Sequence, residues 1–413
     1  MDRPRHISAL ISALHFEDPR PESLRALSDS EWRQLLAYSD VARLTLILGH
    51  ACREYLPGWV QRRIAQNLAD NAERVVRARV AYQEIADALH DAHAEHLVLK
   101  GFSQYPHFIS DVSLRPQSDF DLYCPPGLTL RAQHALERIG YRTGRFPECH
   151  IADHIPLLIR SRDRHSNGNA FDPEIDNAID LHFRFWGRSN ARFGPGSLDA
   201  FWDRRTKRII KGQEFYALDP LDALAFSSLH ALRHLLYGGL VPLNIYEVAY
   251  FLHHTANNDS LWRNWLAQHD SDLRPLIAIP SFLAAQWFGC NVPSAVQQEI
   301  QSLPALVHRW CSEFGESTLA RLFEMNKDAV WLHLGLIDSW PDKVSLLVRR
   351  LFPFWLPPFN SRWVQEKDEG GSVEPRNFFV KGGAYFSWFT TRVIRHVGVL
   401  PSALWHGLRL WSS

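Results

Sequence analysis

Two aspartates separated by one residue, Asp119 and Asp121 in Ser-Asp-Phe-Asp-Leu-Tyr, and a third, Asp180 in Ala-Ile-Asp-Leu-His, are the side chains best suited to hold a divalent cation. In a strand, side chains two apart share a face, so Asp119 and Asp121 point one way while Phe120 and Leu122 pack behind them. Two like charges a few ångströms apart repel unless a cation lies between them. Three carboxylates in this layout can hold two magnesium ions, with manganese as a substitute. One ion would bridge the phosphates of a nucleotide, and the other would lower the pKa of an attacking hydroxyl. Transfer of a phosphoryl or nucleotidyl group needs mostly positioning and charge neutralisation. Lys100 and Arg115 flank the acids in sequence as candidate cations, and Gly101 lets backbone amides approach a triphosphate at a helix start. His182, on the same strand face as Asp180, is placed to touch the nucleotide or orient a carboxylate; its plainer reading is a half-buried strand histidine.

An Asp-x-Asp pair alone is common on solvated strand edges. What sharpens it is the context: an apolar strand Leu97-Val98-Leu99, a break at Lys100-Gly101, a short helical segment from Phe102 to Ile109, then the two acids. Residues 177–185 alternate, with Ile179, Leu181 and Phe183 on one face and Asp180, His182 and Arg184 on the other. A further strand is expected from His154 to Arg160, and a helix from Leu128 to Ile139 ended by Gly140.

Around this unit the pattern is helical. Ser28-Asp29-Ser30-Glu31 reads as a capped helix start, and an amphipathic stretch from Pro57 to Ala94 carries Ile64, Leu68, Val75, Val76, Val80, Ile85 and Leu89. Its arginines (Arg62, Arg63, Arg74, Arg77, Arg79) form either a solvated face, the plainer reading, or an anion-binding one. Asp219-Pro220 opens another helix. The chain thus divides into an N-terminal helical region (1–95), a strand-bearing unit (96–215), a helical domain (216–340) and an aromatic, basic C-terminal segment of irregular character (341–413). That last segment, with Phe352–Phe359, Trp388, Arg392, Arg395, Trp405 and Arg409, reads as a tail packed on the helices, or as a weak contact with an anionic membrane surface.

Composition narrows the classes. With 46% apolar and 22% charged residues, the 413-residue chain is ordinary globular protein. Lysine plus arginine equal aspartate plus glutamate at 45 each, so charge gives no reason to expect a nucleic-acid partner. Five dispersed cysteines without CxxC spacing fit free thiols in a reducing compartment. No signal peptide and no spanning segment are expected, which points to the cytoplasm. There is no P-loop and no G-x-S-x-G elbow. His230 and His234 share a helix face but lack the glutamate of HExxH, so zinc, a substrate-facing role and plain structure stay open.

LVLKGFS, LRPQSDFDLY and IDLHFRF together resemble the uncharacterised bacterial nucleotidyltransferases of the DNA polymerase beta-like superfamily, and SSLHALRHLLY and LNIYEVAYFL are similar to that family's helical region. The resemblance spans about residues 90 to 255. It implies an α+β fold, with a small mixed-sheet core embedded between helical regions. It also implies magnesium-dependent transfer of a nucleoside monophosphate from an NTP to a hydroxyl or phosphate of a small molecule, peptide or protein. Asp119 and Asp121 become metal ligands, Asp180 the third carboxylate, and Gly101 a neighbour of the triphosphate. Ser103 stands in for the usual serine, one position late, because Gly101-Phe102-Ser103 replaces the superfamily's Gly-Gly or Gly-Ser. These departures leave two alternatives: a catalytically inactive nucleotide- or partner-binding module of the same fold, and a metal-dependent phosphodiesterase.

Overall fold

A computed structural model describes residues 3–143, 153–160, 169, 171–320, 322, 327–351, 390, 393–394 and 397–411. Its centre is a mixed seven-stranded sheet: β1 (Leu97–Val98), β2 (Asp119–Tyr123), β3 (Arg142–Thr143), β4 (Leu158–Ile159), β5 (Ala178–His182), β6 (Thr206–Ile210) and β7 (Gln213–Ala217). The order is β3-β4-β5-β2-β1-β7-β6. β2 runs parallel to β5 and antiparallel to β1, and β1 runs parallel to β7. With helices before and after it, this is an α+β fold.

The alternation of β2 and β5 decides which way the sheet faces. Phe120, Leu122, Ile179 and Leu181 are fully buried, and they pack with Tyr82, Ile85 and Leu89 of the helix Gly58–Asp91 and with Ala132 and Leu136 of the helix Thr129–Arg138. Burying each such side chain contributes about 1.5–3 kcal/mol, which pins the register and turns the acids to the opposite face. There the helix Pro220–Tyr237 covers them, with Phe226 standing edge-on to His182 at 6.1 Å between centroids. That helix belongs to the larger core, which joins the N-terminal helices to those beyond residue 220.

Local signals behave as their chemistry requires. Ser28 and Glu31 form a reciprocal capping box, and Asp219 caps the Leu221 amide at 3.0 Å. The long helix differs in detail from its expected stripe. Val76 and Val80 face solvent, and the buried line runs through Ile64, Asn71, Arg74, Ala78, Tyr82, Ile85 and Leu89, the spacing that one helix face allows. The expected 154–160 strand shrinks to β4 plus a bridge from His154 to His182. The hairpin β6–β7 was not expected; Lys211 and Gly212 turn it, both at positive φ.

The C-terminal segment is not irregular where it is described: Trp340–Leu351 is a helix and residues 397–411 are helical. Apolar residues at helical spacing, among them the buried Leu346 and Leu410, outweigh the aromatics and glycines that suggested otherwise. Phe352–Phe359, Trp388, Arg392 and Arg395, on which the membrane-surface reading leans, lie outside the described residues, as does Cys149; Arg409 pairs with Glu313. The four described cysteines are free and buried. No described helix is long and apolar enough to cross a membrane.

One buried histidine makes stability pH-dependent. His333 donates from Nε2 to the Ala191 carbonyl at 2.7 Å, while its Nδ1 is buried without a hydrogen bond. Burial pulls its pKa down to about 4 from 6.5. The unfolded chain therefore binds this proton more readily. The contribution is complete above about pH 6.5 and lost progressively as pH falls towards 4, where it levels off. At most about 3 kcal/mol is at stake. Denaturant midpoints between pH 7 and pH 4 should fall less steeply in His333→Gln, which keeps a donor but does not titrate; an unchanged slope would refute the assignment.

Candidate active site

The parallel register of β2 and β5 sets Asp121 beside Asp180 and Tyr123 beside His182. One ligand atom from each of Asp121, Asp180 and His182 lies within 4.8 Å of the others, the one such trio among the described residues. Asp119 shares their face, two residues earlier on β2, but is outside this trio. Of the expected set of three acids, two converge, and the third position is taken by an imidazole.

Asp121 is the hub. One oxygen lies 3.2 Å from Lys100 Nζ and the other 3.7 Å from His182 Nε2, and the side chain is almost wholly buried. Burial alone would raise its pKa. The Lys100 ammonium, followed by the nearby His182 imidazole, outweighs it and holds the carboxylate ionised, well below the usual range. Asp119, half-buried, shifts the other way: burial first, then the charge of Asp121, push it up. Lys100 also meets His230 Nε2 at 3.0 Å, and the His230 ring stands 4.4 Å from that of His234. Burial, followed by the Lys100 charge, keeps both imidazoles neutral, with His234 at about 4 and His230 well below its ordinary value.

The remaining sequence candidates are placed as follows. Ser103 spends its hydroxyl on the Lys100 carbonyl at 3.1 Å, and its own carbonyl accepts from Arg208. Arg115 donates from Nε to Glu247 at 2.6 Å and to Gln104 at 2.8 Å, both buried. Gly101 sits at φ +78°, and a Cβ there would stand 2.6 Å from the Gln117 side chain. Gln117 ties this turn to the acids: it accepts from the Phe102 amide at 3.1 Å and donates to the Asp119 carbonyl at 2.8 Å. Gly101→Ala is therefore expected to cost about 1–3 kcal/mol and to push Gln117 off both bonds. Equal denaturant midpoints for variant and parent would contradict this.

Sequence reasoning passed over Gln117, Glu247, His154 and Arg43. Gln117 lies two residues before Asp119, the spacing that shares a face, and could have been found on that ground. His154 Nδ1 lies 3.1 Å from Asp180 yet bonds the Ile155 carbonyl at 2.8 Å. Arg43 ends the helix Asp29–Ala42 in the left-handed region at φ 59° and reaches Ser118 Oγ, beside Asp119, at 3.5 Å.

A divalent cation fits the trio. Asp180 Oδ1 and both ring nitrogens of His182 are buried without hydrogen bonds, a cost that a ligand bond would remove. Two carboxylates and one imidazole suit a hard or borderline ion such as magnesium or manganese.

The model of a family described as an uncharacterised nucleotidyltransferase matches residues 28–289, more than half of the chain. No curated protein and no solved structure matches.

Proposed function

From the premise that the chain belongs to this uncharacterised nucleotidyltransferase family, we propose that it is a magnesium-dependent enzyme that moves a nucleoside monophosphate from an NTP to a hydroxyl or phosphate of a small molecule, peptide or protein. The observation that carries the reading is the convergence of Asp121, Asp180 and His182, with buried atoms left unbonded, on one face of the sheet. These three residues would hold the ion, and Asp119 would extend the carboxylate set. When bound, magnesium or manganese would neutralise phosphate charge and acidify the attacking hydroxyl.

The chain's own residues prepare the site. Lys100 keeps Asp121 ionised and in place; Gln117 holds the Gly101 turn against the start of β2. Phe226 packs edge-on to His182 and His230 bonds Lys100, so the helix Pro220–Tyr237 lines one side of the site. The balanced charge and the free thiols support a non-nucleic-acid acceptor and a reducing, cytoplasmic setting.

Thermal shift against each of the four NTPs, with and without magnesium, tests this. Nucleotide and metal together should raise the melting temperature by several degrees when both exceed their dissociation constants. If no nucleotide stabilises the protein with either magnesium or manganese, the proposal fails. Stabilisation without pyrophosphate release for any acceptor would favour the non-catalytic binding module instead.

A further inference from the structure

A nucleoside triphosphate brings about four negative charges to a site that already carries carboxylates, together more than bound divalent ions offset, so the protein must supply cations. The groups that the sequence nominates are already committed: Lys100 to Asp121 and His230, Arg115 to Glu247, Ser103 to a carbonyl. Arg233 pairs with Asp153. Arg43 is different. Among the described residues no carboxylate lies within ion-pair distance of it, and its one hydrogen bond is the long contact to Ser118. It is half-buried next to the acids.

We propose that Arg43 is a phosphate-binding residue of this site, delivered from the N-terminal helices to the Asp119 end of β2, where its guanidinium takes the terminal phosphates of the NTP. The inference rests on the nucleotidyl-transfer reading and deepens it. A guanidinium there presents a fork of donors to phosphate oxygens, and the half-buried setting strengthens the attraction. A small cleft nearby is lined by Arg74, Arg79, Arg115 and Gln117, and Arg74 lies close enough to feel the charge of Arg43. Burial pulls the Arg43 guanidinium down from its ordinary value, while the charge of Asp119, and less strongly those of Glu247 and Asp121, favours its charged form and Arg115 opposes it. The placement also gives the N-terminal region a task, consistent with a family match that starts at residue 28 and so takes in the whole helix that Arg43 terminates.

The backbone offers a clean test. At φ 59° glycine is favoured over arginine, so Arg43→Gly removes the side chain without straining the helix end. Binding of magnesium–tripolyphosphate and of each magnesium–NTP is measured by calorimetry for the parent, Arg43→Gly and Arg43→Lys, alongside manganese binding without nucleotide. Arg43→Gly should bind tripolyphosphate and NTP about tenfold more weakly, the size of one lost charge-assisted contact. Manganese affinity and melting temperature should hold, NMP affinity should not change, and Arg43→Lys should recover part of the loss. Equal NTP affinity in parent and Arg43→Gly would overturn the proposal while leaving the reading of the site intact. So would equal losses in the glycine and lysine variants together with a lower melting temperature, which would mark Arg43 as structural. A parent that binds manganese but no NTP defeats the nucleotidyl-transfer reading, and Arg43's role with it.

Discussion

Asp121→Asn is expected to cut pyrophosphate release by at least about 10²–10³-fold with whatever acceptor supports turnover, the scale of losing a preorganised charge at a reacting centre. No other side chain in the site touches as many of its parts: Asp121 faces Lys100, His182 and, across the strand pair, Asp180. The amide keeps the volume and removes the charge. Manganese affinity, read by electron paramagnetic resonance, should fall together with turnover. The variant should also melt at a lower temperature, because the Lys100 ammonium stays buried with its carboxylate gone. Asp119→Asn separates the two effects: it should weaken turnover with a smaller loss of stability, since Asp119 is half-buried and makes no ion pair among the described residues. An Asp121→Asn protein that releases pyrophosphate at the parent rate would mean that the chemistry lies elsewhere.

The second large effect concerns stability. Glu247→Ala should destabilise the fold by about 3–5 kcal/mol, because it leaves the Arg115 guanidinium buried without its counter-charge. Arg115 and Glu247 meet at 2.6 Å with both side chains almost wholly enclosed, and Gln104, itself bonded to Ser227 at 3.1 Å, completes the network. Replacing both charges by leucine and methionine should recover most of the loss. A denaturant midpoint for Glu247→Ala close to that of the parent would refute the account, as would a double variant no more stable than the single one.

That pair shows where sequence reading stops. Arg115 lies four residues before Asp119 and looks like a cation for the substrate. Its partner is 132 positions later on the helix Pro242–Thr255, and nothing local predicts that meeting. The strands were legible because a period of two needs only neighbours: Phe120 and Leu122 against Asp119 and Asp121, Ile179 and Leu181 against Asp180 and His182. Their relative register was not, since β2 and β5 pair across some sixty residues, and that register brings His182 to Asp121 and Asp180 while leaving Asp119 outside the trio. The hairpin of β6 and β7 was overlooked although Lys211-Gly212 between two alternating runs marks a tight turn. Arg43 carried no signal; only the fold brings the end of an N-terminal helix to Ser118.

The helix Pro220–Tyr237 meets the site with Phe226 and His230, and through Leu224, Leu229 and Leu232 it is also part of the main apolar core. A wall built this way has no independent hinge. Tilting the helix away from the acids would open gaps along an interior packed nearly as densely as a crystal, so this wall keeps its place. A change of acceptor preference would then come from exchanging residues on one helical face. Loop swaps, the usual route to new specificity, would leave this wall where it is.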